Sequence, residues 1–303
     1  AKADRFCEGY MQFLNDAKTE RECVDYMVEK AEKNGFVPFD KTKTYKPGDK
    51  VYLNNRGKSI ILALIGKQGA KNGVKIVASH IDSPRLDLKP TPLYEDSELA
   101  YFKTHYYGGI KKYQWTAIPL ALHGVVTTLD GQNVEITIGE DEGDPVLYIN
   151  DILPHLGKES DKKPLGEAIA GEKLNLLIGS RPIADEPDGI KLNVLSILNE
   201  KYGICEEDLL TAELSAVPAG NARDAGLDRS MICGYGHDDR VCAYPALTSI
   251  FECADSEHTL MCILADKEEV GSDGNTGMQC DLCLDLIDAI GASQGVSGAV
   301  VRA

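Results

Sequence analysis

The chain has 303 residues, 43% of them hydrophobic, and a formal net charge of −16. That length suits one large domain or two ordinary ones, and no apolar run approaches the roughly 18 residues of a membrane span. The acidity argues against nucleic acid as a partner, because phosphate binding needs a basic face. The opening residues, Ala1-Lys2-Ala3-Asp4-Arg5, lack the apolar centre of a signal peptide. Nine cysteines without a disulfide-like framework then predict reduced thiols in the cytoplasm.

In chain order, the first strong signal is helical. Thr19-Glu20-Arg21-Glu22 has the Thr-x-x-Glu form of a capping box, Val24, Met27, Val28 and Ala31 follow at helical spacing, and Asn34-Gly35 supplies a stop. Strands are expected over 50–53, 59–65 and 74–78, with turns at Asn54-Asn55-Arg56-Gly57 and Asn72-Gly73. From 93 to 209 the chain is rich in β-like runs, at 117–126, 133–138 and 147–149, separated by polar turns such as 139–144. After about 210, strands and helices alternate again, with a strand at 260–265 and helices at 241–253 and 278–290. The pattern is that of an α/β protein with a mixed sheet. Cys280-Asp281-Leu282-Cys283 falls in the last of these helices, where cysteine serves as a small hydrophobe.

Three segments carry donors suited to a cation. The run Leu260-Met261-Cys262-Ile263-Leu264-Ala265 reads as a buried strand ending near Glu268-Glu269. Side chains alternate along a strand, so the two carboxylates are expected to face different partners. Two like charges beside a buried element need a positive counterpart, and a metal is the simplest one. The strand at 74–78 delivers Ser79-His80-Ile81-Asp82-Ser83-Pro84. There His80 suits a metal, while Asp82 suits the acceptor of the other ring N–H. Gly236-His237-Asp238-Asp239-Arg240 places two more carboxylates before a helix, although acids at a helix start also have an ordinary role against its dipole. Singly each cluster is weak; together, each at the end of a regular element, they predict a metal centre. Because the donors lie on both sides of 93–209 and must converge, that stretch is expected to be an inserted domain. The catalytic domain then spans 1–92 and 210–303.

These three blocks resemble the metal-site blocks of the aspartyl aminopeptidase and aminopeptidase I family of two-zinc exopeptidases. The likeness extends through Tyr107-Gly108-Gly109, Trp115, Val217-Pro218-Ala219-Gly220, Gly226-Leu227-Asp228-Arg229-Ser230 and Gly274-Asn275-Thr276-Gly277-Met278, in order and over nearly the whole chain. Gly109-Ile110-Lys111-Lys112-Tyr113 brings it nearest to the bacterial aminopeptidase I-like branch. The resemblance implies an α/β mixed-sheet zinc-exopeptidase domain interrupted by a mostly β dimerisation domain, and hydrolysis of the N-terminal peptide bond of peptides. It implies two zinc ions per subunit, with cobalt and manganese tolerated by similar donors. It assigns His80 and Glu269 as ligands, Asp238 as the bridge between the ions, Glu268 as general base and Asp82 as the residue that orients His80. His155 is expected to contact substrate in a neighbouring subunit, within a homodimer that builds a dodecamer. Two later family ligands, an aspartate and a histidine, have no match after Glu269, which predicts a C-terminally incomplete chain. The alternative is a non-catalytic or metal-poor homologue acting as an assembly or binding subunit.

Overall fold

The computed structural model describes residues 2–183 and 186–302. Contacts divide the chain into two compact units, Ala1–Ser83 with Ala222–Ala303, and Pro84–Asn221.

The first unit opens with α1 (Lys2–Asp16) and α2 (Glu20–Lys33). The Thr19 capping box forms: its hydroxyl accepts from the Glu22 N–H, and the Glu22 carboxylate accepts from the Thr19 N–H. Strands β1 (Val37–Pro38), β2 (Lys50–Asn55), β3 (Ser59–Leu64) and β4 (Val74–His80) follow. The chain then enters the second unit through β5 (Arg85–Asp96), β6 (Leu99–Tyr107), β7 (Pro119–Thr127), β8 (Asn133–Ile138) and β9 (Leu147–Tyr148). It continues with the short α3 (Leu165–Ala168), β10 (Leu176–Gly179), α4 (Gly189–Tyr202) and β11 (Glu213–Pro218). It returns to the first unit through β12 (Arg223–Ala225), β13 (Met231–Cys233), α5 (His237–Glu252), β14 (Thr259–Ala265), α6 (Leu282–Ser293) and α7 (Gly298–Arg302).

The first unit is built on a five-stranded mixed sheet in the order β1-β2-β3-β14-β4, in which β14 runs antiparallel to β3 and parallel to β4. Alternation along β3 and β14 assigns their side chains to two cores. Ile60, Leu62, Leu64, Cys262 and Leu264 pack with Phe13, Met27 and Ile250 from the α1, α2 and α5 side. Ile61, Ala63, Met261 and Ile263 pack with Leu286, Ile287 and Ile290 of α6 on the other. Burial on both faces is why the two strands read as unbroken apolar runs. Each fully buried Leu or Ile contributes roughly 1.5–3 kcal/mol.

Among the described residues β4 is an edge of this sheet, with β14 as its neighbour, and it leaves Ile76 and Val77 47% and 41% exposed. A parallel edge with apolar side chains on both faces is a template for pairing with another chain. We expect Val77→Lys to reduce light scattering of the concentrated protein while leaving its melting temperature within a degree or two; scattering equal to the parent's would reject this.

The second unit is an antiparallel sheet of seven strands ordered β11-β5-β6-β10-β9-β7-β8, with β11 also bonded to β7, so that six of the strands close on themselves. The sheet moves the expected domain breaks. β5 begins at Arg85 and runs through 92/93 as one strand, while β11 lies beyond 209/210 yet pairs with both β5 and β7. The breaks therefore fall at 83/84 and 221/222 rather than at 92/93 and 209/210. No helix among the described residues is long and apolar enough to cross a membrane.

Candidate metal centre

The site lies at the C-terminal ends of the parallel pair β4 and β14, where β4 ends on His80 opposite Ala265. His80 is only 11% exposed and both of its ring nitrogens face acids. Nδ1 lies 3.0 Å from the Asp82 carbonyl oxygen and 3.3 Å from its carboxylate. Nε2 looks the other way, 3.3 Å from Asp238 Oδ1 and 3.6 Å from Glu268 Oε2. Burial alone would lower the His80 pKa, but the Asp82 hydrogen bond and charge, with the Glu268 charge behind them, raise it to about 9.

Asp82 is fully buried, and its two carboxylate oxygens accept the backbone N–H groups of Glu268 and Glu269 at 3.2 Å each. One side chain therefore fixes the imidazole and the turn that carries both glutamates. That turn is not a continuation of the strand. β14 ends at Ala265, Lys267 adopts a left-handed conformation at φ 67°, and Glu268–Val270 form one 3-10 turn. Strand alternation therefore does not separate the two carboxylates; the turn does. It sends Glu268 out to 58% exposure and towards His80, and leaves Glu269 half-buried. A further acid missed by the sequence reading lies just behind: Asp266 is 1% exposed, accepts from Thr276 Oγ1 at 2.7 Å, and burial raises its pKa. Its signal was its place between the apolar run and Lys267.

The third block supplies Asp238 and Asp239, which the geometry tells apart. The peptide between them is cis, and both have non-helical backbone angles at the start of α5. Asp238 projects an 85% exposed carboxylate beside His80. Asp239 turns back and accepts from Ser79 Oγ at 2.6 Å. His237, which the sequence left without a role, lies 2.8 Å from the Tyr10 hydroxyl through Nδ1 and 3.2 Å from the Ile232 carbonyl through Nε2. Both of its nitrogens are thus engaged away from the acids. His155 sits exposed in a turn of the second unit.

The approach to α5 depends on Gly236. Its φ is +84°, and a Cβ there would stand 2.5 Å from Arg240 Nη1 and 2.9 Å from Cζ. Gly236→Ala should cost about 1–3 kcal/mol of stability, the order expected for a strained left-handed residue. A urea midpoint unchanged from the parent would contradict this.

With this geometry in view, comparison with known proteins identifies the lineage. Residues 13–299 match the model of the aminopeptidase I zinc metalloprotease family, M18. A probable M18 family aminopeptidase 1 of Clostridium acetobutylicum is 53% identical over 285 residues, covering 92% of this chain and 60% of that protein. The corresponding protein of Thermotoga maritima is 46% identical over 293 residues, covering 96% and 64%. Among solved structures, the M18 aminopeptidase of Thermotoga maritima superposes with a TM-score of 0.92 at 44% identity, over 99% of this chain and 66% of that one. Aminopeptidase I of Clostridium acetobutylicum gives 0.88 at 48% identity, over 96% and 65%. The chain belongs to the M18 aminopeptidase I family and has its mixed α/β fold. It spans 60–66% of the length of these relatives.

Proposed function

We propose that the chain carries the catalytic elements of a zinc-dependent aminopeptidase that hydrolyses the N-terminal peptide bond of peptides. The observation that carries the reading is His80: Nδ1 is committed to Asp82, which leaves Nε2 directed at the carboxylates of Asp238 and Glu268. A second acceptor that fixes the tautomer is the usual support of a metal-binding histidine.

The donors fit zinc in kind, being imidazole nitrogen and carboxylate oxygen. Among the described residues no three His, Cys, Asp or Glu side chains stand together as a ready cage, so these donors form part of a ligand sphere. His80, Asp238 and Glu269 would hold zinc, with two ions per subunit as the family resemblance implies. When bound, zinc supplies Lewis-acid polarisation of the scissile carbonyl and makes water more acidic. Glu268, exposed at the mouth, takes the proton from the attacking water and passes it to the leaving amine. Asp82 holds the His80 ring and the glutamate turn in place throughout.

The test is chelation followed by reconstitution with zinc, cobalt or manganese, scored on a panel of aminoacyl p-nitroanilides and their N-acetylated forms. Activity should vanish and return with metal, and blocked substrates should be inert. Hydrolysis that survives chelation, or that accepts blocked amines, rejects the reading. Zinc binding without turnover would favour the second reading in its non-catalytic form, an assembly or binding subunit, and failure to bind zinc would favour its metal-poor form.

The S. cerevisiae relative mApe1 is described as a dodecamer, at 18% identity. We extend self-association to this chain, with the second unit as the dimerising part and His155 serving a neighbouring subunit's substrate. Native mass measurement decides it, and a monomer at working concentration would rule it out.

A further inference from the structure

The segment carrying His80 and Asp82 is held by a second set of contacts, made by the residues between them. Ser79, Ile81 and Ser83 alternate with His80 and Asp82 along the chain, and all three contact the 238–240 segment. Ser79 Oγ donates to the Asp239 carboxylate at 2.6 Å. Ser83 Oγ donates to the Asp238 carbonyl oxygen at 2.9 Å. The Ile81 carbonyl oxygen accepts from Arg240 Nε at 3.3 Å, while the Ile81 N–H donates to the Ala265 carbonyl oxygen at 2.9 Å.

Arg240 is the unusual member. It is a fully buried arginine, and its guanidinium donates to backbone carbonyls: Nη1 to Ala17 and Nη2 to Lys18, each at 2.8 Å, besides Nε to Ile81. A buried guanidinium is costly unless its donors are satisfied. A planar fork also reaches the α1–α2 junction and the metal-strand loop at the same time, which a lysine cannot do. Arg240 follows Asp238-Asp239 directly, so one residue links the segment bearing one carboxylate to the peptide between His80 and Asp82.

The geometry points to Arg240 as a positioning residue which, with Ser79 and Ser83, latches the His80–Asp82 segment to the Asp238–Asp239 segment and so sets the spacing of their metal donors. The inference deepens the proposed zinc site and rests on it for one of two readouts.

The experiment uses the 303-residue chain with Arg240→Lys, with Ser79→Ala/Ser83→Ala together, and with Ile290→Val in the opposite core as a stability control. Zinc affinity is measured by competition with a chromophoric chelator, and hydrogen exchange is followed in peptides covering 74–83. The latch variants should lose zinc affinity at least tenfold and exchange about tenfold faster in 79–83, while the control keeps both values. The serine pair carries the test if Arg240→Lys fails to fold. Unchanged exchange in 79–83, or a control that loses zinc as the latch variants do, overturns the latch. If the parent chain binds no zinc, the metal reading falls, and the exchange result still decides the latch.

Discussion

Glu268→Gln should lower kcat by about 10²–10⁴-fold, the usual contribution of a general base, while KM and bound zinc stay at parental values. Glutamine keeps the size of the side chain and its place on the turn, yet cannot take a proton from water. Glu269→Gln should behave differently, losing zinc content first and activity as a consequence. The contrast matters because it is Glu268 whose carboxylate lies 3.6 Å from His80 Nε2. If Glu268→Gln emptied the site of zinc, Glu268 would be a ligand and the roles within the pair would be exchanged. If it left kcat untouched, the base would have to be sought elsewhere.

How far the sequence foretold the site depends on the kind of information each segment carries. The strands under it were legible because burial on both faces writes itself as uninterrupted apolar residues, as at Leu260 to Ala265. The Thr19 cap was legible because its hydrogen bonds are local. The residues themselves do not tell Asp238 from Asp239, and only the resemblance singles out Asp238. The two differ through Ser79, 160 positions from Asp239, which engages the Asp239 carboxylate while that of Asp238 lies beside His80.

The glutamate pair shows the opposite failure. Residue types single it out at the mouth of a strand ending at Ala265, but strand alternation is not what parts its side chains, because nothing in Asp266-Lys267-Glu268 announces a non-glycine residue in a left-handed conformation. Lysine favours helices and is sparse in strands, so the left-handed angle of Lys267 is set by tertiary context. The domain breaks slipped for a related reason. Composition changes gradually around residue 93, whereas membership of a sheet is decided by hydrogen-bond partners such as Ser215 with Asp87 and His123.

Asp82→Ala should cost the first unit about 2–4 kcal/mol, because it removes one buried acceptor from several donors at once. The N–H groups of Glu268 and Glu269 would lose the carboxylate that each now meets at 3.2 Å, and His80 Nδ1 would lose the carboxylate at 3.3 Å. Loss of such a partner also weakens metal binding, by roughly 10–100-fold. Asp82→Asn should be milder in stability, since one amide oxygen still accepts an N–H while the amide nitrogen opposes the other. Intrinsic fluorescence is a poor probe here, because the single tryptophan, Trp115, belongs to the second unit. Hydrogen exchange in peptides covering 74–83 and 259–270 reads the affected region directly. Protection there should fall in the order parent, Asp82→Asn, Asp82→Ala, and equal protection in all three would show that the carboxylate holds neither the turn nor the imidazole.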